Sequence, residues 1–176
     1  MKNKTYIIAE IGINHEGDID TCRRMVIAAA ECGVDAVKLQ TINADENYVK
    51  GTESYNIFKG AELTREETHE AFEFAQGLGL DIFTTAGDVE TIDWVDQLNP
   101  SHWKVSSGLL THTPIIEYLA SLKRPLLIST GMASQEDIDL AIKSAKSAGS
   151  NDISLFQCTS VYPTPVEEIN LSTINW

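Results

Sequence analysis

Polar side chains cluster where the apolar segments of the chain end, and their types indicate a site for an anion. Lys38 and Lys104 lie within segments that are otherwise apolar. Burying an unpaired charge costs several kcal/mol, so each lysine requires a carboxylate or an anionic ligand. Hydroxyl and amide side chains that bind phosphate or carboxylate groups end the same segments. They are Gln40, Thr84, Thr85, Ser106, Ser107, Ser129, Thr130, Gln157, Thr159, Ser160 and Tyr162.

Glu10 and His15 end the first apolar segment, and each has two interpretations. Glu10 is either a structural salt-bridge partner of Lys38 or a reacting group, namely an acid, a base or a neighbour of a metal ion. His15 is either a loop-positioning residue that acts through hydrogen bonds or a proton-transfer group, and we favour the first. The sequence leaves both alternatives open.

The cysteines and the other histidines carry weaker signals. Cys22 and Cys32 lie in a predicted helix, where we expect buried, unreactive thiols. Cys158 ends a predicted strand but has no paired histidine in the sequence, which argues against a nucleophile. The histidines without a partner at metal-ligand spacing are expected at the solvated surface. They are His69, His102 and His112.

Six short apolar or β-branched segments predict strands that are buried on both faces. Strands that alternate with helices form a parallel sheet, and ligands bind at the carboxyl ends of such strands. The polar side chains described above are therefore expected to gather at one edge. The predicted strands are Tyr6–Ile11, Ala36–Thr41, Asp81–Thr85, Trp103–Ser106, Leu126–Thr130 and Ile153–Thr159.

Helical patterns fill most of the intervals between these strands. Thr64 with Glu67 predicts a capping box at the start of one helix, and Ser134 with Asp137 opens another. Gly33 stands where the C-terminal cap of the first helix belongs. One connection, 42–63, is longer, and its polar composition predicts a loop over the site rather than packed structure.

Composition excludes several classes of function. The chain has 176 residues with 43% hydrophobic and 22% charged residues, as in a soluble globular domain. A net charge of −13 argues against nucleic acid and anionic membranes as partners. No segment approaches the roughly 18 to 20 apolar residues of a membrane span. We recognise no signal peptide and expect a cytoplasmic protein.

Two α/β architectures fit the alternation: an open, doubly wound sheet or a closed (β/α)8 barrel. No G-x-G-x-x-G motif follows the first strand, which weakens the dinucleotide-binding version of the open sheet. A complete barrel needs eight units and typically about 250 residues, whereas this chain supplies six predicted strands. These patterns alone do not choose between the two architectures.

Five motifs, in order along the chain, resemble the N-acetylneuraminate (sialic acid) synthase family. The resemblance implies a (β/α)8 TIM barrel, of which this chain holds about six units. It also implies a transferase of carbohydrate biosynthesis that condenses phosphoenolpyruvate with an N-acetylated amino sugar, typically N-acetylmannosamine. The product is sialic acid or a related nonulosonic acid, and phosphate is released. The motifs lie at Ile7–Gly17, Val37–Thr41, Lys104–Gly108, Ile128–Met132 and Cys158–Pro165.

The resemblance assigns roles by position. Glu10 is implied as the catalytic residue, near the metal ion and the reacting carbons. Lys38 is implied to contact phosphoenolpyruvate beside Gln40, which faces the sugar. The residues implied at the phosphate end are Thr85, Lys104, Ser107 and Ser129. Ser160 stands where some members have asparagine and can still donate a hydrogen bond, and Tyr162 is implied to border the sugar pocket.

The chain departs from the family pattern in two places. Leu109 replaces an acidic residue that many members carry, which puts the activity or the exact sugar in doubt. Thr85 is followed by Ala86, Gly87 and Asp88 where the family usually has Pro and Phe. Asp88 is expected to cap the next helix.

We interpret residues 1–176 as a partial barrel domain. The family uses a divalent cation, Mn²⁺ or Mg²⁺, whose histidine ligands are expected beyond this chain, so no metal ligand is assigned within it. The family's small C-terminal antifreeze-like domain is likewise expected to be absent, and the full-length family is implied to form homodimers. Six units leave two sheet edges open, which favours pairing with another chain or aggregation.

Two alternatives to this enzyme remain open. One is an aldolase-like barrel in which Lys38 or Lys104 forms a Schiff base. The other is a catalytically inactive barrel fragment that binds phosphoenolpyruvate or a partner chain.

Overall fold

A computed structural model describes residues 4–175, and the chain divides between Ser101 and His102 into two compact units. The first unit contains strands β1 (Ile8–Gly12), β2 (Ala36–Gln40) and β3 (Asp81–Thr85). Its helices are α1 (Ile19–Glu31), α2 (Ala44–Asn47), α3 (Glu53–Gly60), α4 (Arg65–Gly77) and α5 (Val89–Asp96). The second unit contains β4 (Trp103–Val105), α6 (Thr113–Ser121), β5 (Leu126–Ser129), α7 (Gln135–Ser147) and β6 (Ile153–Phe156). Its 3-10 turns are Ser107–Leu109, Val166–Glu168 and Leu171–Asn175.

Parallel pairing in the first unit determines which polar side chains become neighbours. β1 pairs with β2 so that Glu10 lies opposite Lys38, and the register shifts between Glu10 and Gly12. β2 pairs with β3 so that Gln40 lies opposite Thr85. Gln40 and Thr85 end their strands, as the predicted polar edge requires, whereas Glu10 and Lys38 lie at the middle of theirs.

The second unit is also parallel. β4 pairs with β5, which places Lys104 opposite Leu127, and β5 pairs with β6, which places Ser129 opposite Phe156. Trp103 and Ile128, on adjacent strands of this unit, are fully buried. Six parallel strands that alternate with helices confirm the predicted α/β class. The third strand has its predicted bounds, and no strand end differs from the predicted one by more than three residues.

The helix boundaries follow local capping chemistry. Both predicted capping boxes are present, at Thr64 with Glu67 and at Ser134 with Asp137. Asp88 caps α5 by accepting a hydrogen bond from the Thr91 amide, as predicted. No helix within residues 4–175 combines the length and the apolar composition that a membrane crossing requires.

The prediction of an unstructured loop between β2 and α4 is wrong, because α2 and α3 lie in this segment. Each helix has its own cap: the side chain of Asn43 accepts from the Asp45 amide, and that of Thr52 from the Tyr55 amide. An ion pair also connects the two helices, because Lys59 Nζ on α3 lies 2.9 Å from Asp45 Oδ2 on α2. The polar composition of this segment suggested a loop, but contacts between polar side chains stabilise two helices there.

Two burial predictions also differ from the structure. Cys22 is buried as expected, but Cys32 is exposed because it lies after the last turn of α1, off the stripe of buried side chains. β6 is not buried on both faces, since Ser154 and Leu155 are exposed. His69 and His112 are exposed as predicted, and His112 also caps α6 by accepting from the Ile115 amide.

The loop between β1 and α1 is fixed by His15 and Gly17. His15 is 2% exposed, and its Nδ1 accepts a hydrogen bond from the Gly17 amide at 3.2 Å. Gly17 has a φ of +77°, and a Cβ there would lie 2.7 Å from the Gly60 carbonyl oxygen at the end of α3. The interpretation of His15 as a loop-positioning residue is consistent with this contact.

Protonation of His15 is expected to destabilise the first unit. Burial lowers the pKa of His15 below its usual 6.5, and the negative charge of Glu67 opposes this shift. Because the folded pKa lies below the unfolded one, the stability contribution of neutral His15 is complete above pH 6.5 and decreases as the pH falls below it. Urea unfolding should therefore give a lower free energy of unfolding at pH 5 than at pH 7.5.

The His15→Phe variant tests this assignment. Losing the acceptor for the Gly17 amide should cost about 1–3 kcal/mol at pH 7.5 and flatten the dependence on pH. His69→Gln is the matched control, because His69 is exposed and should leave the wild-type profile intact. An unchanged slope in His15→Phe would show that other groups cause the pH dependence.

Candidate functional site

The first unit carries a buried lysine paired with a half-exposed carboxylate. Lys38 Nζ donates to Glu10 Oε1 at 3.0 Å, and the side chains are 7% and 57% exposed. This contact follows from the strand register, since the two residues face each other across β1 and β2. The salt-bridge interpretation of Glu10 is therefore present in the structure, although it does not remove the catalytic one.

The electrostatic balance at Lys38 leaves room for a further anion. Burial lowers the pKa of the Lys38 ammonium, and the charge and the hydrogen bond of Glu10 only partly oppose that effect. A carboxylate that is half in solvent compensates a buried cation incompletely. A phosphate or carboxylate ligand beside Lys38 would therefore be stabilised.

Gly12 allows two side-chain oxygens to approach the end of β1. Its φ is +59°, and a Cβ at this position would lie 3.0 Å from Gln40 Oε1 and 3.3 Å from Glu10 Oε1. The missing side chain thus brings Glu10 and Gln40 to the same place beside the strand end. Of the predicted site residues, the structure brings Glu10, Lys38 and Gln40 together.

Thr85 is the second unusual group of this unit. It is 2% exposed, and its Oγ1 has no hydrogen-bond partner among the residues that the structure describes. The adjacent Thr84 differs, because its Oγ1 accepts from the Thr41 amide at 2.9 Å. A buried hydroxyl without a partner costs about 1–3 kcal/mol, and a ligand oxygen would remove that cost.

The second unit carries its own cluster around a half-buried lysine. Lys104 Nζ donates to the Val105 carbonyl at 2.9 Å and to Ser129 Oγ, and it lies 5.5 Å from the centre of the Phe156 ring. Ser129 is buried. Because Ser129 accepts from the ammonium, its own O–H remains available as a donor to a ligand.

Two further hydroxyls of this unit surround Gly131. Ser107 Oγ accepts from the Gly131 amide at 3.1 Å. A Cβ on Gly131 would lie 2.5 Å from Ser160 Oγ and 2.8 Å from Ser107 Oγ. Ser107 and Ser160 thus converge on a position that only glycine leaves open.

The sequence did not indicate that Cys158 belongs to this cluster, and it assigned Tyr162, which is exposed in the structure. Cys158 Sγ lies 3.4 Å from Ser129 Oγ, and its position two residues before Ser160 was the only signal for this contact. Tyr162 is 95% exposed, so its predicted place beside a sugar pocket stays a prediction. Leu109 is half-buried in the 3-10 turn after β4.

A cavity of about 330 Å³ in the first unit was also missed. It lies among the loop after β1, the end of β2 and helices α3 to α5, and Gln40 and His15 both line it. The sequence did not predict this cavity, because helix α3, which forms part of its wall, lies in the segment 42–63 that was predicted to be a loop.

The described residues alone do not form a metal site. Within residues 4–175, no group of three or more His, Cys, Asp or Glu side chains is arranged to hold a metal ion. The clusters described above are instead rich in ammonium and hydroxyl donors, the chemistry that binds oxyanions.

Comparisons with known proteins identify relatives of this chain. The N,N'-diacetyllegionaminic acid synthase of Legionella pneumophila is 35% identical, over 96% of this chain and 52% of its own length. The mouse N-acetylneuraminate-9-phosphate synthase is 32% identical, over 99% of this chain and 52% of its own length. The chain thus spans about half the length of these relatives.

Solved structures show the same relationship. The N-acetylneuraminic acid (sialic acid) synthetase of Leptospira borgpetersenii, in complex with citrate, has a TM-score of 0.94 at 30% identity, over 98% of this chain and 60% of that one. A DAHP synthase of Thermotoga maritima has a TM-score of 0.70 at 15% identity, which supports the barrel-type fold alone. The predicted fold class, TIM-barrel type with about six units, is confirmed.

A family model supplies the last comparison. It describes the NeuB family and matches residues 25–176, most of the chain. The five sequence motifs, the synthase relatives and this match agree, and the chain belongs to the NeuB family.

Proposed function

We propose that this chain is part of an enzyme that condenses phosphoenolpyruvate with an N-acylated amino sugar. The product is a nonulosonic acid such as sialic acid, and phosphate is released. Family membership and the names of the synthase relatives support this reaction. N-acetylmannosamine is the acceptor that the family resemblance favours, and a transferase is the corresponding enzyme class.

The observation that carries the proposal is the contact between Lys104 and Ser129. A half-buried ammonium that donates to a buried hydroxyl leaves the hydroxyl proton directed at a further acceptor. Ser107 is in the same situation, because it accepts from the Gly131 amide. A phosphate group offers several acceptor oxygens and a negative charge, which match these donors. We propose that Lys104, Ser107 and Ser129 bind phosphate, with Ser160 adding a donor.

The first unit is proposed to act through its own cluster. Lys38 would bind an anionic group of phosphoenolpyruvate, Thr85 would donate its unpaired hydroxyl, and Gln40 would face the sugar. In the reaction, carbon 3 of phosphoenolpyruvate attacks the sugar aldehyde, water adds at carbon 2, and phosphate leaves. Glu10, half exposed beside Lys38, is the group of this chain proposed to handle a proton.

Several finer assignments stay predictions of the family resemblance. The divalent cation, Mn²⁺ or Mg²⁺, is one, and the residues described here do not supply its ligand set. The others are the role of Tyr162 at the sugar, the homodimer and the cytoplasmic location. The identity of the acceptor is also open, since the relatives are named for different products.

One observation favours a second candidate function. Burial lowers the pKa of Lys38, and a lysine with a lowered pKa is a better Schiff-base nucleophile. Borohydride trapping with pyruvate would increase the mass of a Lys38-containing peptide if this aldolase-like chemistry operates. We expect no such adduct, because Glu10 holds the ammonium in an ion pair.

Lys104→Met should weaken phosphoenolpyruvate binding by about 10- to 100-fold, because a charge-assisted hydrogen bond contributes roughly 1.5–3 kcal/mol. Isothermal titration calorimetry on the full chain measures this change. Lys143→Met is the matched control, since Lys143 is an exposed lysine on α7 and should bind as the wild type does. Equal affinities of the two variants would contradict the assignment of Lys104.

Phosphoenolpyruvate binding should weaken as the pH rises toward the usual lysine pKa of 10.5, because burial lowers the pKa of Lys38 below that value. Arginine stays charged, so Lys38→Arg should flatten the profile up to pH 10. Lys143→Arg should keep the wild-type profile. A flat wild-type profile would mean that Lys38 does not contribute its charge to binding.

A coupled assay for metal-dependent phosphate release then separates the enzyme from the inactive fragment. Phosphate released in the presence of both substrates would support the synthase reaction for this chain. Binding of phosphoenolpyruvate without turnover would support the fragment.

A further inference from the structure

The segment between β2 and α4 forms one side of the cavity in the first unit. Residues 44–62 contain α2 and α3, and we call them the cover segment. The opposite side consists of residues from β2, α4, α5 and the loop after β1. A movement of the cover segment would therefore change access to the cavity. The cover residues that line it are Asp45, Phe58, Lys59, Ala61 and Glu62.

The carboxylate of Asp45 links the two helices of the cover segment. Lys50 Nζ and Lys59 Nζ each lie 2.9 Å from one of its oxygens. The Tyr55 hydroxyl donates to the same carboxylate at 3.1 Å. Three donors on one carboxylate fix α3, and the connection that precedes it, against α2.

Two further contacts close the cover segment on itself. The rings of Tyr48 and Phe58 stack with their centres 4.6 Å apart. At the ends of the segment, Glu62 Oε1 accepts a hydrogen bond from the Ala44 amide at 2.7 Å. The cover segment is thus a compact body that its own side chains hold together.

Little apolar surface attaches this body to the rest of the first unit. Within residues 44–62, only Ala44 and Ala61 are buried, and α3 has no buried residue. Ile57, an apolar residue of α3, is 53% exposed. Burial of two methyl groups contributes little to stability, and segments with few buried apolar contacts open at a low cost in free energy. The cover segment therefore depends on polar contacts to stay in place.

Asn47 makes the side-chain contact that fastens the cover segment to the turn before α5. Its Nδ2 donates to Asp88 Oδ2 at 3.1 Å. Asp88 is held in position as the N-cap of α5, because its Oδ1 accepts from the Thr91 amide at 2.8 Å. Gly87 leaves the space that Asn47 occupies, since a Cβ there would overlap Asn47 Oδ1 and lie 2.8 Å from Asn47 Cγ. A hydrogen bond to a charged acceptor and a close steric fit thus coincide at Asn47.

We propose that the cover segment opens as one rigid body to admit a ligand to the cavity, and that Asn47, seated on Gly87 and Asp88, holds it closed. The short connections 41–43 and 63–64 join the segment to β2 and α4 and act as its hinges. Opening breaks the Asn47 contact and leaves the internal contacts of the segment intact. The inference goes beyond the proposed function, because it concerns how the cavity is reached and holds for any ligand.

Thiol labelling on the full chain measures this opening without any substrate. The reporter is Thr68→Cys, because Thr68 lines the cavity on α4 and is 1% exposed. Cys22, which is 0% exposed on α1 of the same unit, is the internal control for global unfolding. Cys32→Ser and Cys158→Ser remove the other native thiols. Mass spectrometry of peptides then follows the two remaining thiols separately.

Gly87→Ala should displace Asn47 and raise the labelling rate of the reporter thiol. We expect an increase of about tenfold, because the hydrogen bond to a charged acceptor is lost from the closed state alone. The labelling rate of Cys22 should not change. Gly77→Ala is the matched control and should label as the wild type does, because nothing lies within 4 Å of a Cβ at Gly77.

Asn47→Ala removes the same contact from the cover segment and should give the same increase. Hydrogen exchange then reports whether the segment opens intact, since the amides within α3 should keep their wild-type protection in both variants. An unchanged reporter rate in Asn47→Ala and in a folded Gly87→Ala would overturn the proposal. Loss of protection within α3, or an equal rise at Cys22, would also overturn it, because the segment would then unfold rather than open as one body.

Discussion

The buried ammonium of Lys38 is the constraint on which the first unit depends. A cation inside an apolar strand is tolerated only when a neighbouring strand supplies a carboxylate, and the β1–β2 register supplies Glu10. The register shift at Gly12 then turns the end of β1 so that the Glu10 and Gln40 oxygens approach each other. Because Glu10 is half in solvent, it compensates the buried charge of Lys38 incompletely, which favours an anionic ligand at this strand edge.

The second unit places hydroxyls around its lysine. Lys104 is half-buried, and the Val105 carbonyl, the Ser129 hydroxyl and the Phe156 ring are among its contacts. Ser129 and Ser107 each accept a hydrogen bond from the protein, which leaves their protons free to donate. Such donors are what the proposed phosphate site requires.

Sequence reasoning succeeded where the cause of a feature is local. The capping boxes at Thr64 and Ser134 require residues three positions apart, and the strands follow from continuous apolar runs. Helices α2 and α3 escaped prediction because pairs distant in sequence stabilise them, such as Lys59 with Asp45. The contact of Cys158 with Ser129 and the cavity beside His15 arise only when strands and helices pack. The ionic half of the site was therefore predictable, and the shape of its surroundings was not.

One buried hydroxyl of the first unit, Thr85 Oγ1, has no hydrogen-bond partner within residues 4–175. It costs about 1–3 kcal/mol in the free protein, and an apolar side chain at this position would have avoided that cost. A ligand that supplies acceptors to such groups regains this free energy on binding, without ordering new side chains. The fold therefore holds the Thr85 hydroxyl in place in the free protein, and in the proposed complex part of the binding free energy would come from relieving this penalty. Substrate binding should on this ground also stabilise the folded chain.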